Sequence, residues 1–348
     1  MKAWLARLFS IAPSAVPEGA AATLAAPAAS PSVAVAALRP TVAAPTVQAA
    51  EGPKCIELAF FSWLIDGPGT VQAPPGARES RALQRLDRLA ADTSARALLL
   101  PRAAAVVPQL LARLRDAESS TGQLVEYVSR DVTLVAEVMR VANSTYYRRD
   151  TAVVELGHAI RLLGVVGLKS AIARSVLRPM FNARGGELVT RSAGRLWEHT
   201  EFKTQLCAAL ARSEGRDPFE GYLVGLVHNA VWSAVLRSMD GVESEEPWCL
   251  SAALASALGL RRDRLFEAVA KQWQLSEGLV QVACEVSQRS LALATSPQAR
   301  MLCAADRLAA LLCLPEQVEQ AEAWLDSLGE PARNCFDTLR HAPGVTPP

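Results

Sequence analysis

The sequence predicts an all-α protein, and three observations lead to that prediction. From ESRALQRLDRLAAD (79–92) to the C-terminus, apolar residues recur with a period near 3.6, which places them on one face of each helix. No segment alternates apolar and polar residues over the length of a strand. Helix-start signals also recur, with a capping box at 120–123 and Asp131 before the next apolar stripe.

Composition excludes several classes of protein. The 348 residues carry a formal net charge of +1, so no overall field attracts the chain to nucleic acid or to anionic lipid. The seven cysteines are scattered and never form a C-x-x-C pair, which argues against a disulfide framework or zinc knuckle and for a reducing, cytoplasmic location. No run approaches about 18 uninterrupted apolar residues, so no transmembrane segment is predicted.

The N-terminal region has the composition of a linker. Residues 1–53 are rich in Ala and Pro, and repeated prolines remove backbone donors and fix φ, so we expect a disordered leader. The amphipathic segment 1–11 could contact a membrane or a partner, although an idle terminus is the simpler interpretation. A short helical preamble at 54–97 follows, and it contains the aromatic stretch AFFSWLI.

Seven short motifs occur in an order that is similar to that of a known family. They are Leu100-Pro101, Ser129-Arg130-Asp131, Val141-Ala142-Asn143-Ser144, AIRLLG (159–164), Leu196-Trp197-Glu198-His199, GLVHN (225–229) and Trp273-Gln274-Leu275-Ser276. Each motif alone is weak, but their order and spacing resemble the HDOD domain, a bacterial all-helical module related to the HD phosphohydrolases. The resemblance covers roughly residues 98–310 and implies an HD-like bundle with two helical sublobes. Residues 311–348 would then be C-terminal helices that close the bundle and a short tail.

The resemblance also implies a candidate metal site. In the HD hydrolases a His, a His-Asp pair and a distal Asp surround a divalent metal that activates water. His199 and His228 correspond to the two histidines, Asp306 is a loose candidate for the distal ligand, and Asn229 stands where the paired aspartate would be. Because a neutral amide holds a hard cation less firmly than a carboxylate, we expect no catalytic residue, no metal ligand and no cofactor.

A simpler interpretation of these histidines is that they are structural. His199 and His228 would meet at a helix–helix contact and be hydrogen-bonded there as buried polar groups. Binding of a stray transition ion through their imidazole nitrogens stays open. Trp197, Trp232 and Trp273 lie in helical stripes and are predicted core residues, whereas Trp63 either docks the preamble on the bundle or anchors a partner.

Three functions remain in competition. The leading hypothesis is a non-enzymatic regulatory or scaffolding module in bacterial signal transduction, which binds a protein or a small signalling nucleotide and shifts the packing of its two sublobes. The alternative is a degenerate metal-dependent phosphohydrolase or cyclic-dinucleotide phosphodiesterase, although CEVSQRS (284–290) contains none of the additional histidines of the latter. The third hypothesis is binding of a nucleotide or of nucleic acid without turnover, which predicts a strongly salt-dependent affinity for polyanions, and the near-zero net charge counts against it.

Overall fold

Every regular element in the part of the chain that the structure describes is a helix, which confirms the all-α prediction. The computed structural model describes residues 52–67, 74–94, 110, 111, 114, 121–144, 146, 147, 151–181, 185–243, 248 and 250–341. The helices are α1 (Gly52–Ile65), α2 (Ala77–Ala91), α3 (Thr121–Ser129), α4 (Val132–Ala142), α5 (Leu156–Phe181), α6 (Glu187–Ser213), α7 (Pro218–Asp240), α8 (Ala252–Gln272), α9 (Glu277–Arg289), α10 (Pro297–Leu312), α11 (Glu322–Leu328) and α12 (Glu330–Arg340), with short 3₁₀ helices at Leu291–Leu293 and Pro315–Ala321.

The centre of the bundle is the antiparallel pair α6 and α7. Helix α7 is buried on all sides between Phe219 and Met239, which is typical of a core helix that has no solvent face. The two helices approach closely because Gly221 has no side chain: a Cβ at that position would lie 2.7 Å from the carbonyl oxygen of Cys207 on α6. Because of this close approach, polar side chains of α6 and α7 are in direct contact one and two helical turns away from the Gly221–Cys207 contact.

The remaining helices surround this pair. Helix α5 packs on α7 and on α4, α10 and α12 pack on α6, and α8 packs on α7 and α9. Helix α5 contains a break at Gly164, where φ is 61° and ψ is −172°, a backbone conformation essentially restricted to glycine. The sequence places a helix end at this residue, and the structure shows that helical geometry resumes directly after it.

Local capping agrees with the sequence in the described segments. The Asp131 carboxylate accepts from the backbone amides of Thr133 and Leu134 at the start of α4, which confirms its predicted capping role. Asn143 follows the last residue of the same helix. Its side-chain amide donates to the carbonyl of Val153, and its side-chain oxygen accepts from the Val153 amide. These two bonds hold the turn between α4 and α5.

Helix α1 docks on the bundle as an integral layer. It contacts α6, α8 and α10 and buries five large apolar side chains, namely Ile56, Phe60, Phe61, Leu64 and Ile65. Trp63 is half-buried and packs at the edge of this core. The docked position is one of the two alternatives that the sequence left open for the preamble.

Some predictions fall outside the described residues. They are the disordered leader up to residue 51, the amphipathic segment 1–11, the Leu100-Pro101 motif and the Ser120 end of the capping box, whereas Gly52 and Pro53 of the predicted leader belong to α1. None of the described helices combines the length and the apolar character needed to span a bilayer.

We predict that Phe61→Ala destabilises the protein by roughly 3–5 kcal/mol, because it removes a buried ring and leaves a cavity. Phe61 is 2% exposed and stacks on Trp232 at 5.9 Å between ring centroids. Chemical denaturation measures the loss. Val132→Ala, at a side chain that is 86% exposed, is the control and is expected to change the free energy of unfolding by less than about 0.5 kcal/mol.

Candidate functional site

Four helices contribute polar side chains to one buried cluster. His199 and Lys203 lie one turn apart on α6, and His228 and Asn229 are adjacent on α7. The other members are Arg262 and Asp263 of α8 and Asp306 of α10. We refer to these seven residues as the polar cluster.

The ammonium group of Lys203 lies at the centre of the polar cluster. Its Nζ donates to Oδ1 of Asp306 at 2.6 Å and to Oδ1 of Asn229 at 3.0 Å, and it also bonds Nδ1 of His228. The side chain is 0% exposed. The lysine therefore joins α6 to both α7 and α10 without any contact with solvent.

Asn229 links the lysine to His199. While its oxygen accepts from Lys203, its Nδ2 bonds Nδ1 of His199 at 2.9 Å and donates to Oγ1 of Thr200 at 2.8 Å. The amide orientation follows from these partners, because only the NH₂ side can donate to a hydroxyl oxygen and to an imidazole nitrogen. A carboxylate at this position could not make both donated bonds.

The bonds of Asn229 and Lys203 also determine the histidine tautomers. Nδ1 of His199 accepts from Asn229, so its proton lies on Nε2, which is 3.3 Å from the backbone carbonyl of Asp306. Nδ1 of His228 accepts from the ammonium, so its Nε2 carries the proton and donates to Oδ1 of Asp263 at 3.3 Å. Both rings are neutral in this arrangement, and all four of their nitrogens have partners.

Arg262 connects the two carboxylates of the cluster. Its Nε donates to Oδ1 of Asp263 at 3.0 Å, and its Nη1 lies 3.3 Å from Oδ2 of Asp306. Asp263 also accepts from the backbone amide of Leu291 at 2.9 Å. Two cations, Lys203 and Arg262, thus face two carboxylates, so the polar cluster is electrically neutral.

Burial sets the protonation of the two histidines. It lowers the pKa of His199 to about 4 and that of His228 to about 3, so both rings are neutral near pH 7. This agrees with the tautomers that the hydrogen bonds require.

Burial and the neighbouring charges act in opposite directions on the pKa values of Lys203 and Asp306. Burial lowers the pKa of Lys203, and Asp306 acts against that decrease. For Asp306 burial acts to raise the pKa, but Lys203 and then Arg262 outweigh it and hold the pKa well below its usual range. Because the lysine has three acceptors and one of them is this ionised carboxylate, we assign it as an ammonium ion.

Helix α1 covers the polar cluster on one side. The ring of Phe60 lies 4.3 Å from that of His199 between centroids. Between α1 and the cluster remains a cavity with a free volume of about 60 Å³, lined among others by Glu57, Trp232 and Arg307. That volume holds roughly four water molecules.

The structure brings together all four residues that the sequence placed at the site. His199, His228 and Asn229 are buried, and Asp306, the loose candidate, contacts His199 and Lys203. The expected contact between the histidines is indirect, since Asn229 and Lys203 link the two rings. Of the predicted core tryptophans, Trp232 and Trp273 are buried and Trp197 is half-buried.

Sequence reasoning missed Lys203, Arg262 and Asp263. One signal was available for Lys203: it follows His199 by four residues, which places both on the same face of α6. Arg262 and Asp263 lie in the charged run RRDR (261–264), and such a run is typical of a solvent-exposed helix face. Among the described residues, no group of three or more His, Cys, Asp or Glu side chains is arranged to hold a metal ion.

Comparison with solved structures establishes the fold class. A protein from Shewanella amazonensis SB2B, assigned provisionally to the metal-dependent phosphohydrolases, superposes with a TM-score of 0.51 at 19% identity, over 76% of this chain and 100% of that one. An HDOD domain protein of unknown function from Geobacter sulfurreducens gives a TM-score of 0.51 at 19% identity, over 75% of this chain and 89% of that one. At this identity the likeness establishes the fold, an HD-like helical bundle.

The family follows from the sequence match. The HDOD domain family matches residues 100–288, more than half of the chain, so the chain belongs to the HDOD domain family. The resemblance inferred from the motifs is thereby confirmed. Asp306 and helix α1 lie outside the matched segment, and the wider domain boundary of 98–310 remains a proposal. The comparison with curated proteins returned no match.

We predict that Asn229→Asp destabilises the protein by at least about 2 kcal/mol, because the carboxylate loses the donated bonds to His199 and Thr200 and adds a buried charge. Denaturant titration measures the effect. Asn334→Asp is the matched control, since Asn334 is exposed on α12, and its stability is expected to stay within about 0.5 kcal/mol of the wild type. A stability of Asn229→Asp equal to or above that of the wild type would contradict the hydrogen-bond assignment.

Proposed function

We propose that the protein is a non-enzymatic regulatory or scaffolding module in bacterial signal transduction, which acts by binding a protein partner or a small signalling ligand. The proposal rests mainly on one observation. The ring nitrogens of His199 and His228, the amide of Asn229 and the carboxylate of Asp306 are all bonded within the polar cluster. No group of this set remains available to activate water or to position a phosphate ester.

The limited access of small molecules to the polar cluster supports the same proposal. The cavity beside His199 has about 60 Å³ of free volume, whereas sites for small molecules have at least roughly 300 Å³. Phe60 and Phe61 of α1 line it and are themselves buried. A nucleotide could therefore reach the polar cluster only if α1 left the bundle and exposed its apolar side chains.

The contact of α4 and α5 with α6, which we take as the junction between the two sublobes, suggests how binding could be transmitted. Arg174 on α5 lies between Glu137 on α4, at 2.8 Å from Nε to Oε1, and Glu201 on α6, with which it forms an ion pair. Its guanidinium also lies 4.8 Å from the ring centroid of Trp197. Because Arg174 and Glu137 are almost fully buried, the two ion pairs of Arg174 join α4, α5 and α6 in one specific packing. A partner that alters this packing would shift the population of sublobe arrangements.

The rival function is a metal-dependent phosphohydrolase with a degenerate site. It is favoured by the fold of the Shewanella amazonensis neighbour and by the presence of two histidines and Asp306 in one cluster. The neutral Asn229 and the two cationic side chains of the cluster count against it, since a hard divalent cation is held mainly by anionic oxygen ligands.

A direct test compares metal content and turnover in the purified full-length protein. After incubation with Mn²⁺, Fe²⁺ or Zn²⁺ and desalting, we expect well below one equivalent of metal and no hydrolysis of bis(p-nitrophenyl) phosphate or of cyclic dinucleotides. Asn229→Asp is expected to behave in the same way, because Lys203 stays in place. One tightly bound equivalent together with phosphodiester cleavage by the wild type would establish the enzyme instead.

The sublobe junction yields a separate prediction. Arg174→Met is expected to destabilise the protein by up to roughly 3–5 kcal/mol, because it leaves the buried Glu137 carboxylate with fewer partners. Hydrogen exchange by mass spectrometry should show faster exchange in α4 than in α10. Arg161→Met is the control, since Arg161 is exposed on the same helix. Uniform exchange changes over α4 and α10 would argue against a specific role in joining the sublobes.

A further inference from the structure

We propose that the ammonium group of Lys203 is the resident cation of the polar cluster and takes the place of the divalent metal ion of metal-dependent HD-like proteins. This inference concerns the occupant of the site and does not depend on the regulatory function proposed above. It follows from a mismatch: the residues that would hold a metal ion here already hold a lysine.

The geometry of the bonds matches an ammonium ion. A protonated lysine has three N–H donors and no acceptor. Nζ has three acceptors, Nδ1 of His228, Oδ1 of Asn229 and Oδ1 of Asp306, so that each donor has one partner. These are the residue types, one imidazole and two side-chain oxygens, that would otherwise bind a metal ion.

Charge balance leads to the same assignment. With Lys203 and Arg262 facing Asp263 and Asp306, the buried charges sum to zero. A dication in place of the ammonium would leave one excess positive charge at the fully buried position of Lys203, and such an uncompensated buried charge is strongly unfavourable. A carboxylate at position 229 would supply the missing negative charge. Lysine at 203 and asparagine at 229 are therefore electrostatically matched to each other.

This matching predicts a reversal by two substitutions. In Lys203→Ala/Asn229→Asp the ammonium is removed and a carboxylate is added, so one divalent ion restores neutrality: the ion and Arg262 then balance three carboxylates. We expect this double variant to bind one equivalent of Mn²⁺ and to gain thermal stability with Mn²⁺ concentration. The wild type is expected to do neither.

Single variants show whether the stability of the protein depends on the positive charge of Lys203. Lys203→Met keeps most of the side-chain volume but removes the charge, and its melting temperature is expected to fall by roughly 10 °C without rescue by Mn²⁺. Lys271→Ala is the matched control, because Lys271 is 57% exposed and pairs with Glu267 on the same helix. Its melting temperature is expected to stay within about 2 °C of the wild type. Wild-type stability of Lys203→Met, or a folded double variant that takes up no metal, would overturn the proposal.

A measurement on the wild type does not depend on the folding of any variant. The chain has only five lysines, at positions 2, 54, 169, 203 and 271, so selective ¹⁵N-lysine labelling gives a simple NMR spectrum. We expect one ammonium signal that is protected from exchange with water at neutral pH and is unaffected by one equivalent of paramagnetic Mn²⁺. The absence of a protected signal, or its loss on addition of Mn²⁺, would refute the assignment of Lys203 as the resident cation.

Discussion

The ion pair between Lys203 and Asp306 is the interaction on which the interior of this protein depends. A lysine without solvent exposure is tolerated only where its charge is compensated and its donors are bonded, and both conditions are met here. The pair joins α6 to α10, and through His228 and Asn229 it also joins α7. Three helices that bury their apolar faces against one another are thus held in one register by a single polar group.

The close contact of α6 and α7 is the condition for this arrangement. Gly221 and Gly225 let the backbone of α7 approach α6, and a Cβ at Gly225 would lie 3.1 Å from Sγ of Cys207. Beyond these glycines the facing positions are polar, and they reach each other across the same short distance. The asparagine amide fits between His199 and Lys203 because it both donates and accepts, which a carboxylate cannot do when ionised.

The sequence predicted the helical class, the family and part of the site, for identifiable physical reasons. Helical periodicity and caps such as Asp131 are local signals, and they were correct. His199, His228 and Asn229 could be grouped because their motifs retain a recognisable order. Lys203 was missed because a lysine within a long helix normally extends its ammonium group to solvent, and nothing local reveals that its three acceptors come from two other helices. Arg262 was missed for the same reason.

The position of Asp306 has a further consequence for how the molecule can be divided. The segment that matches the family ends at residue 288, so the carboxylate that neutralises Lys203 belongs to α10, beyond that boundary. Phe60, which covers His199, lies before the other boundary. A fragment trimmed to the matched segment would hold an ammonium ion without its counter-charge and a histidine without its apolar cover. We therefore expect a fragment that keeps the polar cluster neutral and covered to extend at least from α1 through α10, beyond the family match at both ends.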